Sequence, residues 1–474
     1  MQIKIGVGRQ DSLKSFFAIV DVFVYMMLCN GLATGYQPKN IIHLPKIVIY
    51  TVNSILPVLS VSSRQYSPIF SADLSNFAYF SAANRCTPQI MLADIHNETD
   101  ARQYRIATSV FFFISGLGYS SWASRIPSIK QQLHLNEAQL GGVLLALPIG
   151  LMLTMPITGK LLGNFSSRKI MMFGAMAFNV VLSLPGFANN IVQLALVLFC
   201  FGSARNLLNL SMNAQAVAVQ HLYSRSIMTT FHGIWSVAGS VGALTGLLMV
   251  TMNVAPSYHL LMVSVLLLVF TVYYYPKTFP DQPVKDPVKK AAFSLPDKSL
   301  LKYSLICFAC MATENTMYDW SGLYFQKVVG TSNATAVAAF VIYMVAMTTG
   351  RFMGDKLVKT IGIKSILLYS GWLILSGLLL AILLPYPVTA GIGFIFAGLG
   401  VACVVPLVFS LAGKSKTANS GQTLASISSI GYLGFLVVPP LVGFVAQATS
   451  LRISFGIMAV CGLLIVLMVR GIKE

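Results

Sequence analysis

From residue 106 onward the sequence is a succession of long apolar stretches separated by short polar turns. Twelve of them reach the roughly 18 residues that a helix needs to cross a ~30 Å hydrocarbon layer. Their cores run 106–124, 139–162, 170–187, 191–218, 228–251, 257–275, 302–325, 333–354, 365–384, 388–412, 424–446 and 452–470. Gly and Pro punctuate several, as buried membrane helices tolerate. The pattern predicts an all-α membrane protein. Residues 1–104 stand apart: segment 16–34 is apolar but carries Asp21 and Asn30, and 47–61 is short and broken by Asn53 and Pro57. This N-terminal extension has two readings, a cleaved signal peptide behind Lys4, Arg9 and Lys14, or a working protein that begins near Met91.

The polar turns fix an orientation, because cytoplasmic loops accumulate Lys and Arg. With the residues before span one inside, the inner turns hold 20 basic residues, from Arg102 and Arg105 to Arg470 and Lys473, and the outer turns hold four: Arg125, Lys130, Lys327 and Arg452. The even span number returns the C-terminus to the cytoplasm. One inner connection, residues 276–300, is Pro-rich, Lys-rich and too polar to insert; it divides the spans into a half at 105–275 and a half at 301–474. The halves share landmarks. Gly159, in GKLLGNFSSRK after span two, and Gly350, in GRFMGDKLVKTIGIK after span eight, are 191 residues apart; Trp122 and Trp320 are 198 apart. A duplicated six-helix unit explains both offsets.

Composition agrees and removes other classes. Apolar residues make up 56% of the chain and charged ones 10%, far below the roughly 25% charged of soluble domains, which excludes a water-soluble globule. The net charge of +18 is distributed between apolar runs instead of on one solvated face, so it reports membrane orientation and not a nucleic-acid partner. The seven cysteines show no disulfide or metal spacing, and the Cys307–Cys310 CxxC pair sits on an apolar helix without a second pair. No GxxxxGK[ST] loop is present, and Gly6 and Gly8 lack the third glycine of a nucleotide fingerprint. No cofactor and no metal are expected.

Twelve spans in two sixes, a central basic loop and Gly-containing basic turns after spans two and eight resemble the major facilitator superfamily of secondary transporters. The resemblance covers residues 105–470. It implies two pseudo-symmetric six-helix bundles that work as a monomer by alternating access. In the family's turn pattern Gly159, Leu161, Arg168 and Lys169 match, while the family's Asp falls on Gly163; the second copy keeps Gly350, Arg351, Gly354 and Asp355. The resemblance therefore implies cytoplasmic gate loops at Gly159, Arg168, Lys169, Gly350, Arg351, Gly354 and Asp355, with the gating pair surviving in the second. SSWASRIPSIK, SMNAQAVAV, TENTMYDWSGLYF and GYLGFLVVPPLVG are similar to a group of poorly characterised bacterial permeases, distantly similar to proton-coupled sugar permeases.

Ionisable side chains at mid-membrane are costly, so those that persist face a wet cavity or a partner. Beyond residue 139 the intramembrane acids are Glu314 and Asp319 in span seven; these are the proton-coupling candidates. Glu314 lies about 18 Å above Lys302, near mid-depth, and Asp319 about 7 Å further out. Span four carries Arg205 with Asn209 and Asn213 on the same helical face. Its depth matches that of Glu314, which predicts an Arg205–Glu314 pair across the halves. Trp122, Tyr119, Trp235, Tyr318, Trp320 and Tyr324 are candidates for stacking on a flat solute, against the alternative of plain packing. His232 is a candidate proton relay, against that of a hydrogen-bonded core histidine.

The expected function is secondary transport of a small sugar-like or drug-like solute, coupled to protons, in the cell membrane. Two alternatives are a membrane-embedded enzyme acting on a lipid-linked substrate, which requires a catalytic cluster near one interface, and a non-transporting sensor on a transporter scaffold.

Overall fold

A computed structural model describes residues 98–224, 227–281, 300–413 and 420–472, all within the compact unit Ala72–Glu474. The extension up to residue 97, Arg225, linker residues 282–299 with their Lys and Asp residues, Lys414, Lys416 and residues 473–474 lie outside the described residues, as does the side chain of Asp355. Among the described residues there are α-helices and no strand.

The α-helices are α1 (Glu98–Ala123), α2 (Ile126–Gln132), α3 (Glu137–Leu144), α4 (Ala146–Asn164), α5 (Ser167–Leu182), α6 (Ile191–Gln220), α7 (Met228–Thr251) and α8 (Pro256–Tyr274), followed by α9 (Leu301–Tyr324), α10 (Asn333–Ile361), α11 (Ile363–Leu383), α12 (Pro387–Val401), α13 (Val404–Gly413), α14 (Ser420–Ala448) and α15 (Leu451–Arg470). Spans two and ten are each divided, into α3/α4 and α12/α13; α2 is a short helix in the turn between spans one and two. The starts of the helices follow local chemistry. Asn136 and Gln139 form a reciprocal capping box on α3, and the side chains of Asn190, Ser332 and Ser450 accept from the third backbone N–H of α6, α10 and α15. Proline opens α8 and α12, where its missing N–H is no loss.

Eleven stretches among the described residues are long and apolar enough to cross a membrane. The twelfth, α9, has the length, 24 residues, but is the most polar span of the set. The reason is its position: α9 is buried on nearly its whole circumference, so its Thr, Asn, Glu and Asp side chains meet protein instead of lipid. The outer surface carries the reverse composition, with Leu153, Phe173, Val192, Val388 and Leu467 exposed as lipid-facing residues should be.

The helix contacts repeat between the halves. In the first, α1 packs on α7, α4 on α6 and α5 on α6; in the second, α9 packs on α14, α10 on α12 and α11 on α12. Each contact in one half has its counterpart six spans later, which is the pseudo-symmetry expected from the offset landmarks. The halves meet along α7–α10 and α3–α14. The second contact is a backbone approach. A Cβ on Gly141 would come within 2.6 Å of the Pro439 carbonyl oxygen, and one on Gly443 within 2.6 Å of the Glu137 carbonyl oxygen.

Candidate functional site

The two intramembrane acids of α9 lie at the seam between the halves and have different surroundings. Glu314 Oε1 accepts a 3.3 Å hydrogen bond and ion pair from Arg351 of α10, and Arg351 donates its other terminal nitrogen to Ser236 Oγ of α7 at 2.7 Å. Arg351 thus ties the acid of the second half to the first half. Its guanidinium also stands 5.8 Å from the Trp235 ring, whose indole N–H donates to Ser115 of α1 at 3.3 Å. Beside it, Ser240 and Thr348 hydroxyls pair at 2.9 Å, and Thr348 donates to the Ser236 carbonyl. The side chains of Arg351 and Glu314 keep 27% and 14% of their surface accessible, so the pair is desolvated without being sealed.

Arg205 does not reach Glu314, contrary to the expected pairing. Its guanidinium lies over the Tyr119 ring at 3.8 Å, a cation–π stack in which the aromatic face replaces part of the lost hydration. The Arg205 charge acts on Asp319, which has Asn315 one turn below within hydrogen-bonding reach of its carboxyl. Tyr119 meets Tyr318 at 5.3 Å between ring centroids. The physical reason for the changed pairing is helix length. Helix α10 continues to Ile361, so Arg351 lies about 15 Å above its inner end, at the depth of Glu314, and not on the cytoplasmic turn. That continuation was the sequence signal for the partner that the span reading missed.

The other candidates divide into two groups. Near the seam stand Trp235, His232, which meets Phe112 edge-on at 5.4 Å, and Tyr318, buried against Phe340 and Tyr343. Asn209 and Asn213 line α6 half-buried, with the Asn213 amide donating to the Asn209 carbonyl within the helix at 2.8 Å. Away from the seam, Trp122 packs on Phe201, and Tyr324 donates its hydroxyl to the Ala381 carbonyl at 2.8 Å while its ring contacts Phe455 and Phe394. Trp320 is fully buried. Asn206, not singled out from the sequence, is a buried amide of α6, donating to Thr158 of α4 at 2.9 Å. Among the described residues no group of three or more His, Cys, Asp or Glu side chains is placed to hold a metal ion.

At the end reached by α1, the outer end in the orientation expected from the charge bias, polar bonds join the halves. Lys130 of α2 and Lys327 of the second half share the Glu137 carboxylate at 3.1 and 3.8 Å, Gln131 pairs with Asn333, and the Glu137 backbone N–H donates to Gln447. Arg125, counted from the sequence among outer-turn charges, is instead buried: it donates to His259 Nδ1 at 2.9 Å and to the Val254 carbonyl at 2.7 Å, tying the α1–α2 corner to α8. Burial lowers this guanidinium to about 10, still above neutral, so it stays a charged donor.

The profile of the Major Facilitator Superfamily matches residues 108–418. The chain belongs to that superfamily. An uncharacterized MFS-type transporter of Yersinia pestis is 32% identical over 372 residues, covering 78% of this chain and 96% of that protein. The membrane protein MosC of Rhizobium meliloti is 29% identical over 382 residues, covering 79% of this chain and 92% of that protein. The crystal structure of the nucleoside transporter NupG superposes with a TM-score of 0.62 at 14% identity, covering 78% of this chain and 98% of NupG. An inward-facing, occupied bacterial homologue of the lysosomal transporter Spinster gives 0.60 at 13%, covering 77% and 96%. These likenesses establish a multi-pass membrane protein of a family of small-solute transporters, with the superfamily's all-α fold.

The two family turns differ in how they are held. After the second span of this superfamily member the missing Asp is replaced at the helix start by one from the linker: Asp281 accepts from the backbone N–H groups of Ser167 and Arg168 at 2.9 and 3.1 Å, and from Gln215 of α6 at 3.0 Å. A carboxylate there complements the positive end of α5. Arg168 lies over the Tyr275 ring at 4.9 Å and donates to the Pro276 carbonyl, while Lys169 is exposed and Gly159 sits half-buried on α4. The second motif is not a turn: Gly350, Arg351 and Gly354 lie inside α10, where a Cβ on Gly350 would come within 2.6 Å of Ala402, and one on Gly354 within 2.5 Å of the Cys403 sulfur.

Proposed function

We propose that this chain is a proton-coupled transporter of a small polar solute, a monomer in the cell membrane with its C-terminus in the cytoplasm, in which Glu314 carries the coupling proton. The observation that supports this reading most is the Glu314–Arg351 pair, because Arg351 is also bonded to Ser236 of the other half. Protonating Glu314 removes the charge that holds Arg351, and the same guanidinium then acts on only one half. A protonation event at mid-depth is in this way linked to the seam about which the halves rock. Arg205, Asn209, Asn213, His232, Trp235 and Tyr318 supply charge, amides and aromatic faces suited to a sugar-like, nucleoside-like or drug-like solute, with Trp122, Trp320 and Tyr324 behind them as packing support. The second gate loop acts through Gly350, Gly354 and Asp355.

The test is a thermal-shift screen of purified protein over sugars, nucleosides and cationic and anionic drugs at two pH values, followed by flux of the best ligand into proteoliposomes under a pH gradient. Expected is gradient-driven accumulation in the wild type. In Glu314→Gln accumulation is lost and solute exchange without a gradient is retained. Accumulation by Glu314→Gln at the wild-type rate would overturn the assignment. An oxidised, hydrolysed or transferred product in place of intact solute would instead point to an enzyme, and binding without flux to a sensor.

A further inference from the structure

Between the outer ends of α1, α9 and α10 lies a cavity of about 10 Å³ bordered by Ser124, Pro127, Tyr318, Asp319, Ser321 and Gly322. That space is near the minimum for one water molecule. Its polar wall is unusual for so deep a site. The Tyr318 hydroxyl and the Ser321 hydroxyl, 4% and 0% exposed, have no hydrogen-bond partner among the described residues. Ser124 donates to the Ser121 carbonyl at 2.7 Å, which leaves its oxygen lone pairs free to accept. Two orphaned buried hydroxyls, an accepting oxygen and a carboxylate around one water-sized space satisfy the requirement of two to four polar partners for a stably held water.

Position gives the cavity a direction. Asp319 forms its deep wall and Pro127, the first turn of α2, its outer one. A Cβ on Gly322 would come within 2.9 Å of the Pro127 ring, so Pro127 closes tightly on α9. The helix that supplies Pro127 also carries Lys130 and Gln131, the first half's share of the outer bonds between halves. The groups facing Asp319 are Arg205 from α6, Tyr119 from α1, and Asn315 and Tyr318 from its own helix. From α10 the cavity meets Phe340 and Val337, which do not titrate.

We propose that this cavity is a proton port: it holds one water, bound by the Ser321 and Ser124 hydroxyls, that joins the Asp319 carboxyl to the outer aqueous phase. A proton arriving under α2 is taken by the water, which passes one of its own protons to Asp319; the net change is one proton moved from bulk to carboxylate, with the Ser321 hydroxyl accepting one and releasing one while Ser124, its own proton on the Ser121 carbonyl, holds the water as an acceptor. The proposal rests on the proton-coupled reading above and gives its second acid a role: Asp319 loads from outside, while Glu314 controls the seam. A sodium ion is the less favoured occupant, because the Arg205 charge acts on the same carboxylate and repels a second cation.

The experiment uses the full-length protein in lipid vesicles, with protons as the only probe. A pH step is applied outside and the carboxyl stretching bands are followed by time-resolved infrared spectroscopy, Asp319 and Glu314 being assigned by their loss in Asp319→Asn and Glu314→Gln. Expected is an Asp319 band that follows the outside step. Ser321→Val, which puts methyls in the water's place, slows it by at least about tenfold, Ser321→Thr restores it, and the Glu314 band is unchanged in both. If Ser321→Val loses both bands through misfolding, Ser321→Ala with Ser124→Ala is read instead, with the same slowing expected. Equal rates in all folded variants, or an Asp319 band that follows only the inside pH, overturn the port. So does a band shift on replacing choline by sodium at constant pH, which assigns the cavity to a metal cation. Proton exchange at Asp319 without coupled flux of any solute would leave the port standing and remove the coupled-transport reading; coupled flux with Asp319 indifferent to Ser321 would do the opposite.

Discussion

Glu314 and Asp319 stand five residues apart on the same buried helix, yet their charges are accommodated in different ways. Glu314 has a cation at hydrogen-bond distance, and that cation is itself bonded across the seam. Asp319 has no ion pair within 4 Å among the described residues; its cation, Arg205, is parked on an aromatic ring, and its outer neighbour is a water-sized cavity. In the proposed reading one acid holds the halves together and the other exchanges a proton. The comparison teaches that acidity in a membrane helix is not one function: the first neighbour decides whether a carboxylate works as a tether or as a loading site.

The largest test of that contrast is Arg351→Ala. It leaves Glu314 without its partner and should destabilise the protein by about 2–3 kcal/mol, below the ~3–5 of a fully buried pair because part of the Arg351 side chain stays accessible. Adding Glu314→Gln should restore most of the loss, since a neutral amide needs no counter-charge; equilibrium unfolding in mixed micelles reads both. Arg205→Lys should cost about 1 kcal/mol in the same measurement, through the lost stack on Tyr119, and should show no rescue by Glu314→Gln. A rescue there would mean that the two acids share one cation after all. Asp281→Asn is expected to cost about 0.5 kcal/mol by removing the charge at the start of α5, an effect that high salt should shrink. Smallest is Lys327→Gln, at about 0.5 kcal/mol or less because Lys327 is exposed; Glu137→Gln costs more, because it also takes the partner of the buried Lys130. Its clearer readout is kinetic: a Gln131→Cys/Asn333→Cys pair should cross-link more slowly when Glu137 is neutral, as the outer end opens more often.

Much of this was legible in advance. The span cores and the observed helices agree in place because a membrane helix is selected by length and hydropathy alone, and the charge of the turns adds an orientation. Span seven was found despite its polarity, since its apolar stretch is long enough even with Glu314, Asn315 and Asp319 inside it. The two acids were identifiable as the intramembrane carboxylates, and Arg205 as a deep base, because cost in lipid makes each such residue conspicuous. The pairing was not legible. Depth counted along separate helices matched Arg205 to Glu314, but equal depth does not determine azimuth, and Arg351 was read as part of a turn.

The sequence by itself therefore determined the number, place and duplication of the helices and which of them carry ionisable residues at mid-span, because those properties are read locally over one or two dozen residues. Only the tertiary structure decided that Arg351 rather than Arg205 holds Glu314, that Arg125 is a buried clamp, that Asp281 caps a helix more than a hundred residues away, and that three hydroxyls and Asp319 surround one small cavity. Each of these depends on how helices rotate and lean against one another, and that geometry is fixed by close contacts such as Gly141 on Gly443, which no local sum contains.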